Sequence, residues 1–192
     1  MSTTTITEAL AEIKTIGKRL EKKRQAVLQN LGRDSRLKDP FLDAENPGGS
    51  LEYIKRERQA ILDLEKRIVA IRSAIQKANF ATRATINGET MSVQEWLNFR
   101  REVSPNRQIF LNSMNTGIKQ TREKLQREGG RVTFAGAAAS AIATVEGEKK
   151  PPEILLHIDE KALLEEQENL EKTLGELDGK LSLLNATTII EV

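Results

Sequence analysis

The chain has 192 residues, with 30 Lys and Arg against 28 Asp and Glu and a net charge of +2, a length that suits one domain with a real core. Charged residues make up 30% and aromatics only 4%, which argues against a β-sandwich or an aromatic-lined pocket and for long solvated helices. There is no cysteine, which excludes disulfides, thiol catalysis and cysteine metal sites.

The opening Met1-Ser2-Thr3-Thr4-Thr5 lacks a basic and then apolar leader, so no secretory signal is expected. No apolar run approaches the ~18–20 residues of a membrane span. Charge is unevenly placed. Residues 1–40 hold nine Lys and Arg against five Asp and Glu, whereas residues 151–192 hold three against ten. A basic first helix and an acidic last helix are expected to attract each other, within or between chains.

Thr5-Ile6-Thr7-Glu8 is a capping box and opens a helix to about Leu31, with a stripe of Ile6, Leu10, Ile13, Leu20, Val27 and Leu31 that Gly17 and Arg24 interrupt. Gly32 is a natural stop, closing a first segment of 1–32. Asp39-Pro40 and Asn46-Pro47-Gly48-Gly49 break the chain, and Ser50 is the expected cap of a second helix, 51–79. Its stripe is Ile54, Ile61, Leu64, Ile68, Ile71, Ile75 and Ala78, and Asn79 suits a left-handed helix end. Residues 80–91 read as a β-hairpin turning at Asn87-Gly88. Ser92-Val93-Gln94-Glu95 is a second capping box, starting a helix over 92–128 that Ser104-Pro105 is expected to kink. Val93, Trp96, Leu97, Val103, Ile109, Phe110, Met114, Ile118 and Leu125 are its expected core residues.

Residues 129–158 read as a loop or arm with short strands at 131–134 and 153–158, and a Gly/Ala-rich stretch at 136–143 has no assigned role. Asp159 caps the last element, a C-terminal helix and tail over 159–192. Leu163, Gln167, Leu170, Leu174, Leu177, Leu181 and Leu184 form a heptad ladder that must be buried against another helix. The β-branched Thr187–Val192 tail is a candidate strand. Two phrases echo each other: Ile75-x-x-Ala78-Asn79-x-x-Thr82 and Leu181-x-x-Leu184-Asn185-x-x-Thr188.

The order of these parts resembles the septicolysin-like proteins, small bacterial helical proteins whose molecular function is not established. The likeness rests on the Glu8-Ala9-Leu10 helix, the Pro-interrupted loop, the Asn-x-Ala-Thr phrase, the Asn-Gly turn, and the helix Glu176-Leu177-Asp178-Gly179-Lys180-Leu181 closed by Asn185-Ala186-Thr187-Thr188. It covers most of residues 6–31, 51–103 and 153–190, departs at 33–50, Ser104-Pro105 and 129–150, and allows a phage-borne relative. The resemblance carries over no catalytic residue.

Little in the sequence points to catalysis. His157 is the one histidine, and without cysteine it cannot complete a common zinc site. Glu165, Glu166 and Glu168 read as a solvated helix face, and Asp34, Asp39, Asp43 and Glu45 lack the ligand register of a calcium loop. The usual nucleotide-binding and nucleophile-elbow motifs are absent. Lys18, Arg19, Lys22, Lys23 and Arg24 form a basic stretch, the first four being candidates for anion contact; without interleaved aromatics, a charged helix face is the preferred reading. Trp96, Phe99 and Phe110 read as core or as an interface cluster. Gln167 reads either as a register-setting seam residue or as a partly exposed position.

The expected protein is mainly α: an antiparallel long-helix bundle or coiled coil, as one domain, with a small β-hairpin or sheet at one end. No catalytic, cofactor or metal site is expected. The expected role is a non-enzymatic, self-associating structural protein, such as a virion component (capsid decoration or tail part). Its oligomer or packing seam is Ile61, Leu64, Ile68, Ile71 and Ile75 with the 163–184 ladder. The expected partner is another copy or other subunits of a larger assembly, in the cytoplasm or a virion. The alternative is a nucleic-acid or membrane-surface binder using the first helix.

Overall fold

The computed structural model describes residues 3–43, 47–127, 131–134 and 153–192. It is mainly α-helical, and the single domain expected from length is built as two compact units. One comprises residues 1–83 and 180–192, the other 84–179.

The first unit is a helix pair. Strand β1 (Thr3–Thr5) leads directly into α1 (Ile6–Gln29). The capping box forms as its sequence requires: Thr5 Oγ1 accepts from Glu8 N at 3.2 Å, and Glu8 Oε2 accepts from Thr5 N at 2.9 Å. Helix α2 (Gly49–Ala81) runs antiparallel to α1, since Lys23 pairs with Glu57 and Glu12 with Arg67. The core between them holds Ile6, Ala9, Ile16, Leu20 and Ile71, with Ile13, Ile61, Leu64, Ile68 and Ile75 packed at its edges. The α1 stripe therefore differs from expectation. Ala9 and Ile16 sit on it, Leu10 and Leu31 are exposed, and the Gly17 and Arg24 interruptions lie off the seam. A 3-4-3-4 step from Ile6 passes through Ala9, which is fully buried in this core.

Ser50 is not the cap of α2. The N-cap is Gly48, which offers no side chain, and Asp39 supplies the acceptor from eleven residues upstream. Its Oδ2 accepts from Ser50 N at 3.0 Å and its Oδ1 from the Ser50 hydroxyl and, at 3.0 Å, from Phe41 N. These donors hold the Asp39 carboxyl down at about 2. Gly49 is required here: its φ is +54°, and a Cβ would come within 2.6 Å of Asp39 Oδ2. Asn46 lies outside the described residues.

Helix α2 also ends differently. Asn79 is not left-handed; it is buried, and the helix runs on to Ala81 before Thr82 turns extended. The two asparagine phrases nonetheless end helices alike. Thr82 N donates to Ala78 O at 2.9 Å, and Thr188 N to Leu184 O at 2.8 Å, each just ahead of a strand. That second strand, β6 (Ile189–Glu191), pairs antiparallel with β1, Thr4 opposite Ile190.

The second unit opens on the hairpin β2 (Arg83–Ile86) and β3 (Glu89–Ser92). Asn87 and Gly88 both take positive φ, 48° and 83°, as a two-residue hairpin turn demands. Ser92 then caps α3 (Val93–Asn98), with the Glu95 carboxylate returning to its amide. A π-helical turn (Phe99–Val103) connects α3 to α4 (Ser104–Arg127). Pro105 explains it. Proline has no N–H for the Arg101 carbonyl and its ring crowds that group. The ladder relaxes so that Ser104 N–H reaches Phe99 O, five residues back.

The extra residue in this turn shifts the buried stripe by one position. Ser104, Leu111, Ile118 and Leu125 face inward, while Val103, Ile109 and Phe110 are exposed. The expected core positions 103, 109 and 110 are thus overturned by a local winding change. Beyond α4, β4 (Arg131–Phe134) pairs parallel with β5 (Glu153–Leu156). The last helix, α5 (Glu160–Thr187), runs antiparallel to α4, with Arg122 bonded to Glu160 and Arg107 to Glu166. Among the described residues the strands form three separate two-stranded sheets, not one small sheet. Residues 136–143 lie outside the described residues.

Candidate functional site

The α5 ladder is filled from within the chain. Leu163 and Leu170 cluster with Leu111 and Ile118 of α4, and Leu174, Phe99 and Met114 pack at the edge. Leu177 and Leu181 are buried as well, and Leu184 is half-buried. Gln167, the polar rung, is tied to α4: Asn115 Nδ2 donates to its Oε1 at 2.9 Å, and its Nε2 donates to Asn112 Oδ1 at 3.2 Å. Two asparagines one turn apart thus read a single glutamine, which fixes the register of α4 on α5.

A groove of about 580 Å³ lies beside this pair, lined by the hairpin, α3 and α5. Its floor is Ile86, Phe99 and Leu170, and its rim carries Asn87, Glu89, Glu165 and Glu166. Trp96 belongs to the core beneath. It is 1% exposed, its Nε1 donates to Ala84 O at 3.0 Å, and Phe99 meets it edge-on at 5.8 Å. Phe110, grouped with these two by sequence, is 62% exposed on α4 and belongs to neither core nor groove. On the rim, Arg107 donates to Glu166 at 2.6 Å.

The charged residues singled out by sequence are dispersed. Lys18, Arg19 and Lys22 are exposed along α1, whereas Lys23 turns inward to Glu57 at 2.9 Å and Arg24 reaches Glu65 at 2.7 Å. Among the described residues, Lys23, Arg24 and Glu12 of α1 pair with Glu57, Glu65 and Arg67 of α2, and Glu160, Glu166 and Asp178 of α5 pair with Arg122, Arg107 and Arg100, while Lys161 pairs with Glu165 within α5. Asp34 is held by Arg36 and Asp39 by the α2 cap, while Glu45 lies outside the described residues. His157 follows the end of β5 and is exposed. Among the described residues no group of three or more histidines and carboxylates is placed to hold a metal ion, and no helix is long and apolar enough to cross a membrane.

What sequence reasoning missed is the outer face of α2. Of its inward stripe only Ile71 is fully buried, and Ile54, Ile61, Leu64, Ile68 and Ile75 are half-buried. On the opposite side, Leu51, Leu62, Val69 and Phe80 are between 51% and 68% exposed. Their spacings are eleven, seven and eleven residues, so at about 100° per residue they fall within about 20° of one line. That line is about 44 Å long at ~1.5 Å per residue. The signal was readable from sequence as an eleven-residue apolar period, but the stronger heptad on the other side masks it. Comparison with protein-family models, curated proteins and solved structures gives no match.

Proposed function

We propose that this chain is a non-enzymatic, self-associating structural module whose contact surface is the outer face of α2. The observation that carries this is the straight line of four large apolar side chains exposed along a 33-residue helix that has α1 on its other side. Single exposed leucines are ordinary, but an aligned set spanning a whole helix reads as an interaction surface.

The magnitude sets what kind of assembly to expect. Full burial of such a side chain is worth about 1.5–3 kcal/mol, and these start half to two-thirds exposed, so the line supplies roughly 4–8 kcal/mol. Association costs about 4–15 kcal/mol before any contact is counted. The line alone therefore gives a weak contact, strengthened by charge pairs or by repetition in a larger assembly. Sedimentation velocity tests this. Wild-type protein should show a concentration-dependent mass above the 21.5 kDa monomer, and Leu62→Ser/Val69→Ser should stay monomeric with unchanged helicity. A wild-type monomer at every concentration contradicts the proposal.

A second reading has one observation in its favour: Lys14, Lys18 and Lys22 recur every fourth residue, exposed, on α1. On that reading nucleic acid binds with an affinity falling steeply with salt, and charge reversal at Lys18, Arg19 and Lys22 removes it.

A further inference from the structure

We infer that the occupant of the α2 outer face is the acidic outer face of α5 in a second copy of the chain, which makes the association head-to-tail. The inference rests on the self-association reading and names its partner. The apolar line of α2 is bordered by exposed Lys55, Arg58, Lys66, Arg72 and Lys77. One acid, Glu65, lies on that border, and it is engaged by Arg24.

The spacings of the line are the same read in either direction, so a two-fold antiparallel α2–α2 pair matches its apolar residues, Leu51 on Phe80 and Leu62 on Val69. The charges forbid it. In an antiparallel pair each flank meets its own symmetry mate. Lys66 then faces Lys66, Lys55 faces Lys77, and Arg58 faces Arg72. Like charges set side by side along both borders oppose an association that the apolar line alone makes only weakly favourable. The face therefore calls for an apolar contact ringed by carboxylates.

Helix α5 carries one. Leu164, 54% exposed, shares an outward row with Glu168 and Glu171, both exposed; the exposed Lys161 one turn earlier is paired with Glu165 at 3.9 Å and leaves these two carboxylates beside the leucine. Residues 151–192 hold ten Asp and Glu against three Lys and Arg, the one strongly acidic stretch of the chain. Because α2 and α5 present different surfaces, pairing them uses each face once per copy, the heterologous contact that builds a ring or a filament.

Two charge-reversed full-length variants test the assignment: Lys55→Glu/Arg58→Glu/Lys66→Glu on α2, and Glu168→Lys/Glu171→Lys on α5. Circular dichroism confirms that both are folded, and sedimentation velocity reads mass. Each variant alone should lose association by at least about tenfold in Kd, and an equimolar mixture should recover it, since each then offers the other a complementary pair. If wild type associates but the α5 variant associates equally well, the second copy binds elsewhere, and this inference fails while the self-association reading stands. If wild type stays monomeric, both fail. A monomer that sediments with phosphatidylserine vesicles, and not when the α2 variant replaces it, assigns the face to a membrane surface and likewise overturns the inference.

Discussion

Single residues set the register here, and each makes a measurable claim. Gln167 is bonded to Asn112 and Asn115, so Gln167→Leu takes the partner from the half-buried amide of Asn115 and from the exposed amide of Asn112. Such a loss costs about 1–3 kcal/mol when fully buried, and partial exposure puts the expected destabilisation near ~1 kcal/mol in denaturant unfolding. Asp39 ties its own turn at Phe41 to the start of α2 at Ser50, and those donors lower its carboxyl to about 2. Because the folded value lies below the ordinary one, the clamp is fully present above about pH 4 and is lost as pH falls toward 2. The amide resonances of Phe41 and Ser50 should therefore titrate near pH 2; a midpoint near the ordinary aspartate value rules the clamp out. Gly49→Ala should destabilise α2's start, since it combines positive φ with a contact on the Asp39 carboxylate. Of these residues, Gln167 could be singled out in the sequence because it breaks a leucine ladder. Asp39 could not, because its cap is made across eleven residues and no local pattern encodes that reach.

At the level of elements, the capping boxes at Thr5 and Ser92, the Asn87-Gly88 hairpin and the α5 ladder were all legible, because each depends on residues within one or two turns. The α4 register was not. Ser104-Pro105 announces a disturbance, but whether a helix answers proline by breaking or by adding a residue is decided by packing. Here Leu111 and Ile118 meet Leu163 and Leu170, and the π turn supplies the one-residue shift that lets them. Two substitutions separate the registers. Leu111→Ala should cost about 2–5 kcal/mol as a buried large-to-small change, and Phe110→Ala should fall within about 0.5 kcal/mol of wild type. The reverse order in chemical denaturation restores the unshifted reading. Strand pairing was similarly out of reach: Thr3–Thr5 is too short to read as a strand, and it becomes one only by meeting Ile189–Glu191.

For the whole molecule, composition alone excluded much and named little. A low aromatic content and abundant charge gave a mainly helical chain, and the two helix pairs, α1 with α2 and α4 with α5, agree with that. The 163–184 ladder and the inward α2 stripe pack within their helix pairs, the latter only half-buried apart from Ile71, and the surface proposed for association is the outer line of α2 with its basic border. Its apolar contribution gives only a weak contact, so the proposed association draws on charge pairing and salt should weaken it as screening grows. The most direct test is sedimentation equilibrium of the wild-type protein across concentration at low and high salt. The expected result is a mass that exceeds 21.5 kDa and rises with concentration at low salt, then falls back at high salt; a single 21.5 kDa species under every condition would contradict the account.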